Sequence, residues 1–349
     1  MSLDHPRPLG RLIFGGPDLE PRRLRNLLQE QVDRASSGSR IDWCTYYFRD
    51  RELAQALMRA SDRGVRVRLA METEPRRKSA NETVTAMLQA HGLNGGFHSL
   101  SPTGRDGKPG HLHAKIYAFS DPPIAWIGSF NPSGDEPEDA DVVAEIGDQD
   151  RGHNLLLGIE RPKLILALIG YIDQLIEPSP MPIWLRLSAY WRLRDGDTRL
   201  FFYPRMRTLI VEPLVAKLRS GDSVRAAISH LKSGPLAKAM AKAARRGAHI
   251  DLLVHDTERR VSPKAFHRLA ESGAHIRRIV DPDNLPMHAK FILLTGRGRT
   301  TAWLGSYNFN DRSRLENAEL LLSTSNAKII AELSERFDAI SAMGGSPSA

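Results

Sequence analysis

Apolar residues along this chain recur in two rhythms, and the order of the rhythms repeats. From Glu52 to Glu74, Leu53, Ala54, Leu57 and Met58 keep the spacing of one helix face, Arg63-Gly64-Val65 breaks it, and Val67, Leu69 and Met71 alternate as in a strand. About 184 positions later, residues 236 to 258 repeat the series. Leu236, Ala237, Met240 and Ala241 mark the helix face, Arg246-Gly247-Ala248 the stop, and Ile250, Leu252, Leu253 and Val254 the strand. Both strands run into an acidic residue, Thr and Glu: Glu72-Thr73-Glu74 and Asp256-Thr257-Glu258.

A strand candidate precedes each copy, Ile41 to Phe48 and Val224 to His230, and a second helix follows, near Glu82 to His91 and Lys264 to Gly273. Such alternation predicts an α/β fold of two similar α/β domains, each a mixed sheet layered by helices. Pro178, Pro180 and Pro182 end the helix pattern of Leu164 to Ile176. The expected division is therefore a first domain over 1–180, a linker over 181–194 and a second domain over 195–349. The length of 349 residues suits two domains.

With 41% hydrophobic and 26% charged residues, the chain has ample material for two cores. Its longest apolar stretch, Leu164 to Ile172, falls short of the ~20 residues that span a bilayer, and the first thirty residues contain no apolar run. A cytoplasmic protein without a transmembrane segment is expected, with peripheral membrane contact left open. The lone Cys44, inside the apolar run Trp43 to Phe48, reads as a core residue. A formal charge of +8 suits polyanionic partners, although it also serves solubility.

Two short constellations carry the chemistry. His113-Ala114-Lys115 is followed by Gly128-Ser129-Phe130-Asn131 and Glu145; His288-Ala289-Lys290 is followed by Gly305-Ser306-Tyr307-Asn308 and Glu319. Residues two apart on a strand face the same side, so each His and Lys can reach one ligand. A third triplet, His230-Leu231-Lys232, has no Gly-Ser-x-Asn after it, and His230 is read as solvated or structural.

These doubled motifs resemble the phospholipase D superfamily, over roughly residues 35 to 335. The family's Asp five positions after the Lys is displaced, since residue 120 is Ser and the Asp is Asp121, and the second copy has Thr295 there. The resemblance implies a phosphodiesterase working through a covalent phosphohistidine, with His113 as nucleophile and His288 as acid. The sequence itself leaves the two interchangeable. Neither half holds both histidines, so the single active site is expected at the domain interface, across a pseudo-twofold axis.

Negative charge grows on the equatorial oxygens of a phosphodiester during displacement, which calls for fixed cations and donors. Lys115, Lys290, Asn131 and Asn308 fit that role, with Ser129 and Ser306 as substrate-binding helpers. No metal and no cofactor is expected, because the lysines can do the electrostatic work. His111 beside His113 is the one metal candidate, yet the repeat accounts for His113, and Pro286 stands at the counterpart of His111. Glu145 and Glu319 are the carboxylates expected to fix the ring tautomers, with Asp141 and Glu316 as nearby rivals.

Asn308 continues into Phe309-Asn310-Asp311-Arg312-Ser313, which resembles a run of phospholipid-processing members and makes Arg312 a substrate-binding candidate. A phospholipid headgroup is thus the favoured substrate for this expected monomer. The alternative is a metal-independent nuclease acting on DNA or RNA, drawing on the net charge and on the Arg-rich stretches Pro21 to Arg25 and Arg245-Arg246. Around the join, Trp184, Tyr190, Trp191, Phe201, Phe202 and Tyr203 are interleaved with Arg186, Arg192, Arg194 and Arg199. They could rest on lipid or stack bases; domain packing is the leading reading.

Overall fold

Asp50 caps the helix that the Leu53-Ala54-Leu57 spacing calls for, its carboxylate accepting the Leu53 amide at 2.8 Å. The matching helix of the second half opens on Pro235, whose missing N–H has no role in a first turn. The computed structural model describes residues 9–133, 140–187, 193–205 and 207–343. The first half runs β1 (Leu12–Gly15), α1 (Arg23–Arg34), β2 (Arg40–Thr45), α2 (Arg51–Asp62), β3 (Arg66–Glu72), α3 (Ser79–His91), β4 (Phe97–Leu100), β5 (Ile116–Ser120), β6 (Pro123–Gly128), α4 (Ala140–Ile146), β7 (Asn154–Ile159) and α5 (Pro162–Ile176). After α6 (Ile183–Arg186) and β8 (Arg194–Asp195), the second half runs β9 (Thr198–Tyr203), α7 (Glu212–Val215), β10 (Ser223–Ile228), α8 (Pro235–Arg245), β11 (His249–His255), α9 (Pro263–Glu271), β12 (His275–Ile279), β13 (Lys290–Gly296), β14 (Arg299–Gly305), α10 (Asp311–Leu315), β15 (Glu319–Thr324) and α11 (Ala327–Met343).

The two sheets have the same plan. One is ordered β1-β7-β6-β5-β2-β3-β4; the other, read in the same sense, is β8-β9-β15-β14-β13-β10-β11-β12. In each, the helix-linked strands pair in parallel and the rest antiparallel, so both sheets are mixed. The chain changes sheets between α5 and β8, and Arg194, placed in the expected linker, already pairs with Arg199.

Strand alternation divides the core into a middle part and two outer parts. In β5, Ile116 and Ala118 face the middle while Tyr117 and Phe119 face outward; in β13, Phe291 and Leu293 face the middle while Ile292 and Leu294 face outward. Leu164 and Leu168 of α5 and Ile329 and Leu333 of α11 join the same middle cluster. The halves therefore share one apolar core, which fixes the site between them.

Of the β9 aromatics, Phe202 belongs to this shared core, while Phe201 and Tyr203 belong to the outer core of the second half. Phe201 stacks on Trp303, Phe202 on Tyr171 and Tyr203 on Tyr307, all buried. Trp184 lies under the Arg105 guanidinium; Tyr190, Trp191 and Arg192 lie outside the described residues. Arg25 of the Arg-rich first helix is buried against Asp50 at 2.8 Å and is no loose cation. Cys44 is buried, and burial pushes its thiol up to about 12. Among the described residues no helix is long and apolar enough to cross a membrane.

Candidate active site

Each His-x-Lys segment enters the first strand of its sheet's antiparallel half, β5 or β13, and on the way docks against the opposite half. Leu112 bridges Ala318 in parallel, with His113 N donating to Ala318 O at 2.9 Å and Ala318 N to His111 O at 2.8 Å. Met287 bridges His153 in the same way, with His288 N donating to His153 O at 3.1 Å and His153 N to Pro286 O at 3.0 Å. Each histidine is thus held beside the residue that opens a strand of the other half. His113 Nδ1–H donates to Glu319, the first residue of β15, at 2.9 Å. His288 Nδ1–H donates to Asn154, the first residue of β7, at 2.9 Å. Asn154 Nδ2 donates to Gln149 O at 2.7 Å, which turns its carbonyl oxygen toward the ring. Both imidazoles consequently present Nε2 on the far side.

The glycines and serines of the two motifs lock this arrangement. A Cβ on Gly128 would lie 2.1 Å from Leu155 O, and one on Gly305 2.2 Å from Leu320 O, so only glycine admits the neighbouring strand. The next residues donate their amides to those same carbonyls at 3.0 Å. Ser129 Oγ then donates to Asn154 Oδ1 at 2.9 Å, and Ser306 Oγ to Glu319 Oε2 at 2.6 Å. Both serines are buried away from the cavity, so their expected contact with substrate is corrected: they hold the groups that hold the histidines. Glu319 accepts from Ser313 Oγ at 2.6 Å and Asn317 Nδ2 at 3.3 Å as well. Burial would raise this carboxyl, but the His113 and Lys115 charges and the Ser306 bond hold it below its usual range.

His113 and His288 share one cavity of about 260 Å³ with Asn131 and Asn308. The Asn131 carbonyl oxygen accepts the Tyr47 amide at 3.2 Å, while Asn308 Oδ1 is buried with no partner. Lys115 and Lys290 lie fully buried beneath the lining, each Nζ donating to the carbonyl of its own histidine at 2.6 Å. Burial pushes Lys115 down to about 7 and His113 to about 4, against the pull of Glu319 on both. Lys290 and His288 are held well below their ordinary ranges by burial, then by Lys115 and Arg260 around Lys290 and by Lys290 and Arg260 around His288. Such crowding of cations around one carboxylate is relieved by a bound anion.

Other expectations are redistributed. Glu145 lies in α4, its side chain outside the described residues, and the partner expected of it for a histidine is Asn154 instead. Of the rivals, Glu316 pairs with Arg312 at 3.3 Å and Asp141 is exposed. Arg312 does reach the cavity, from a half-exposed position. Of the rest of its run, Asn310 and Ser313 also line the cavity, Ser313 buried on Glu319, while the exposed Asp311 pairs with Arg314 at 2.9 Å. Asp121 sits in the β5–β6 turn, at the opposite end of β5 from His113, so its displaced spacing does not touch the site. His111 lines the cavity with Nδ1 3.7 Å from Glu72.

Of the two readings of His230, solvated or structural, the first is corrected. His230 lines the cavity, and its Nδ1 is buried without a partner. It stands 184 positions after Tyr46, which lines the same cavity. That offset also relates two arginines outside the His-x-Lys and Gly-Ser-x-Asn motifs, Arg76 and Arg260, both on the cavity wall. The signal for them in the sequence is the offset of the repeat, which extends beyond the residues the two halves share.

The duplicated sheet with paired His-x-Lys segments on one shared cavity defines a phospholipase D type of protein. The family described as "Cardiolipin synthase, PLD-like domain" matches residues 28–138 and 214–341, more than half of the chain, and the chain belongs to it. No curated protein gives a significant match. Among solved structures, phosphatidylserine synthase of Haemophilus influenzae Rd KW20 is similar with a TM-score of 0.71 at 14% identity, over 97% of this chain and 87% of that one. Polyphosphate kinase of Porphyromonas gingivalis is similar with a TM-score of 0.62 at 15% identity, over 95% of this chain. This chain spans 50% of that kinase. At such identities the likeness is one of fold.

Proposed function

We propose that this protein cleaves or transfers a phosphodiester through a covalent phosphohistidine on His113, with His288 as the general acid and then base. The observation that carries this reading is the difference behind the two rings, a carboxylate behind His113 and a neutral amide behind His288. As Nε2 of His113 attacks phosphorus and the bond to the leaving oxygen breaks, positive charge develops on that ring, and Glu319 stabilises it through Nδ1–H. An imidazolium at His288 lacks such a counter-charge and is the stronger acid, suited to giving its Nε2 proton to the leaving oxygen. In the second half-reaction His288 takes a proton from water or an alcohol, whose oxygen attacks phosphorus as the P–N bond breaks. Asn131 and Asn308 offer polar contacts to the phosphoryl oxygens, and the buried lysines supply the field beneath them. A phospholipid headgroup is the proposed substrate, supported by the family's description and by the phosphatidylserine synthase likeness in fold.

The test separates the two histidines. With a p-nitrophenyl phosphodiester, whose leaving group needs no proton, His288→Ala should still release a burst of nitrophenol and trap phosphohistidine, while His113→Ala gives neither. With a phospholipid both variants should lose at least ~10³-fold, because the two act as a unit. A burst from His113→Ala and none from His288→Ala would reverse the roles.

A further inference from the structure

We propose that His111, backed by the buried Glu72, is a third working histidine of the cavity, whose Nε2–H binds a non-bridging oxygen of the phosphate at His113. This inference rests on the phosphodiester reading above. Leu112 and Ala114 belong to the middle core, so the residues that alternate with them face the other way, and His111 and His113 both line the cavity. Two residues of extended chain span roughly 6.6 Å, which lets the two rings touch one phosphate. The Tyr46 ring packs against both, its centroid 5.2 Å from His111 and 5.1 Å from His113.

Glu72 sets the direction of the His111 ring. It ends β3, is 1% exposed, and accepts the Ser101 hydroxyl, the Leu112 amide and, at 2.8 Å, the Glu74 amide. Burial would raise this carboxyl, but His111, Ser101 and the two amides hold it below its usual range. Nδ1 of His111 is buried without a hydrogen bond and lies 3.7 Å from Glu72 Oε1, at ion-pair distance. With Nδ1 directed there, Nε2 is the nitrogen left for the cavity. Between a carboxylate and a bound phosphate oxygen the ring carries both protons and offers a charge-assisted donor to the ligand. The other described groups packed against it are Tyr46, His113 and Asn317, whose Oδ1 accepts the His111 amide at 3.1 Å; Arg76, Arg259, Arg260 and Arg312 share the cavity wall. In the second half Pro286 replaces His111, and Asp256, the counterpart of Glu72, pairs with His255 instead. The device therefore serves only the histidine proposed as nucleophile.

The test titrates inorganic phosphate into the full chain at pH 7.5 by calorimetry. His111→Leu should bind it about tenfold more weakly than wild type, the worth of one hydrogen bond from a charged donor. His275→Gln, at an exposed position on β12, should leave the affinity unchanged. In [15N]histidine spectra the His111 ring, identified by its loss in the variant, should show the imidazolium signature when phosphate is bound. A merely structural role would leave the ring neutral in the complex, and that result overturns the proposal, as does an affinity of His111→Leu within twofold of wild type. Should His111→Leu fail to fold, His111→Gln, which keeps a neutral donor, decides: a loss of about threefold supports the proposal and an unchanged affinity overturns it. Trapping of phosphohistidine on wild type judges the covalent reading separately. Its failure, with phosphate affinity still dependent on His111, would overturn the covalent route and support the anion contact; a wild type that binds no phosphate overturns both.

Discussion

In the first half the strand that backs a histidine begins with Asn154; in the second it begins with Glu319. Nearly everything around these two residues is alike. Both follow a bridge to the opposite half, both accept a motif serine, and both accept a histidine Nδ1–H at 2.9 Å. The difference is one formal charge, buried where the effective dielectric is low. Duplication of the frame fixes where the two rings stand, and the side chain behind each decides what the ring can do. A symmetric fold thereby holds an asymmetric pair, a nucleophile that tolerates positive charge and an acid that gives it up.

Neutralising Glu319 tests the comparison most severely. Glu319→Gln keeps the shape but removes the counter-charge to His113, and it can present the wrong face of its amide to the ring. Turnover should fall by roughly 10²–10⁴-fold, the range seen when the orienting carboxylate of a catalytic histidine is replaced by an amide. KM should change little, since Glu319 does not line the cavity. A fall of less than about threefold would show that the carboxylate is not what distinguishes the rings.

Giving the first half a carboxylate sharpens the comparison. Asn154→Asp would place negative charge behind His288, raising that ring's proton affinity and weakening it as an acid. Turnover of phospholipid should fall about tenfold, with the alkaline limb of its pH profile displaced upward, while a p-nitrophenyl substrate should be affected less than threefold. Equal losses on both substrates would point to disturbed packing, because Asn154 also holds Ser129 and Gln149.

How much of this was legible in the sequence follows from the same comparison. His113, Lys115, Asn131 and their counterparts could be read because both copies keep them at similar spacing. Glu319 was found by its place after Asn308, but Asn154 was not, for two reasons. Asn131 and Asn154 are 23 positions apart against 11 for Asn308 and Glu319, so the insertion moved the counterpart. A carboxylate is also the side chain expected behind a catalytic histidine, and an amide can orient a ring without one. Ser129 and Ser306 were assigned to substrate because hydroxyl groups suit phosphate, whereas burial of the motif's glycine turn directs them inward. The crossed pairing of each histidine depends on the Leu112–Ala318 and Met287–His153 bridges, which no periodicity reveals.

The smallest expected effect concerns stability, and it asks whether the cations beneath the cavity are uncomfortable without substrate. Lys115 is pushed from 10.5 down to about 7, and His113 from 6.5 to about 4, burial being the main cause in both. Between each folded and unfolded value the unfolded chain binds more protons than the folded one, so stability rises with pH in both windows. For Lys115 this contribution is complete above about 10.5 and is lost as pH falls through about 7, with a slope of at most ~1.4 kcal/mol per pH unit. Thermal unfolding of the ligand-free protein from pH 7 to 10 should therefore show a rising Tm. Lys115→Met, which replaces the ammonium by an apolar group of similar length, should flatten that rise, as should saturating sulfate, because a bound anion makes the protonated lysine welcome in the folded state. Equal slopes in wild type, in the variant and with sulfate would mean that Lys115 keeps its charge in the free protein, and that the crowding of cations around Glu319 is not relieved by deprotonation.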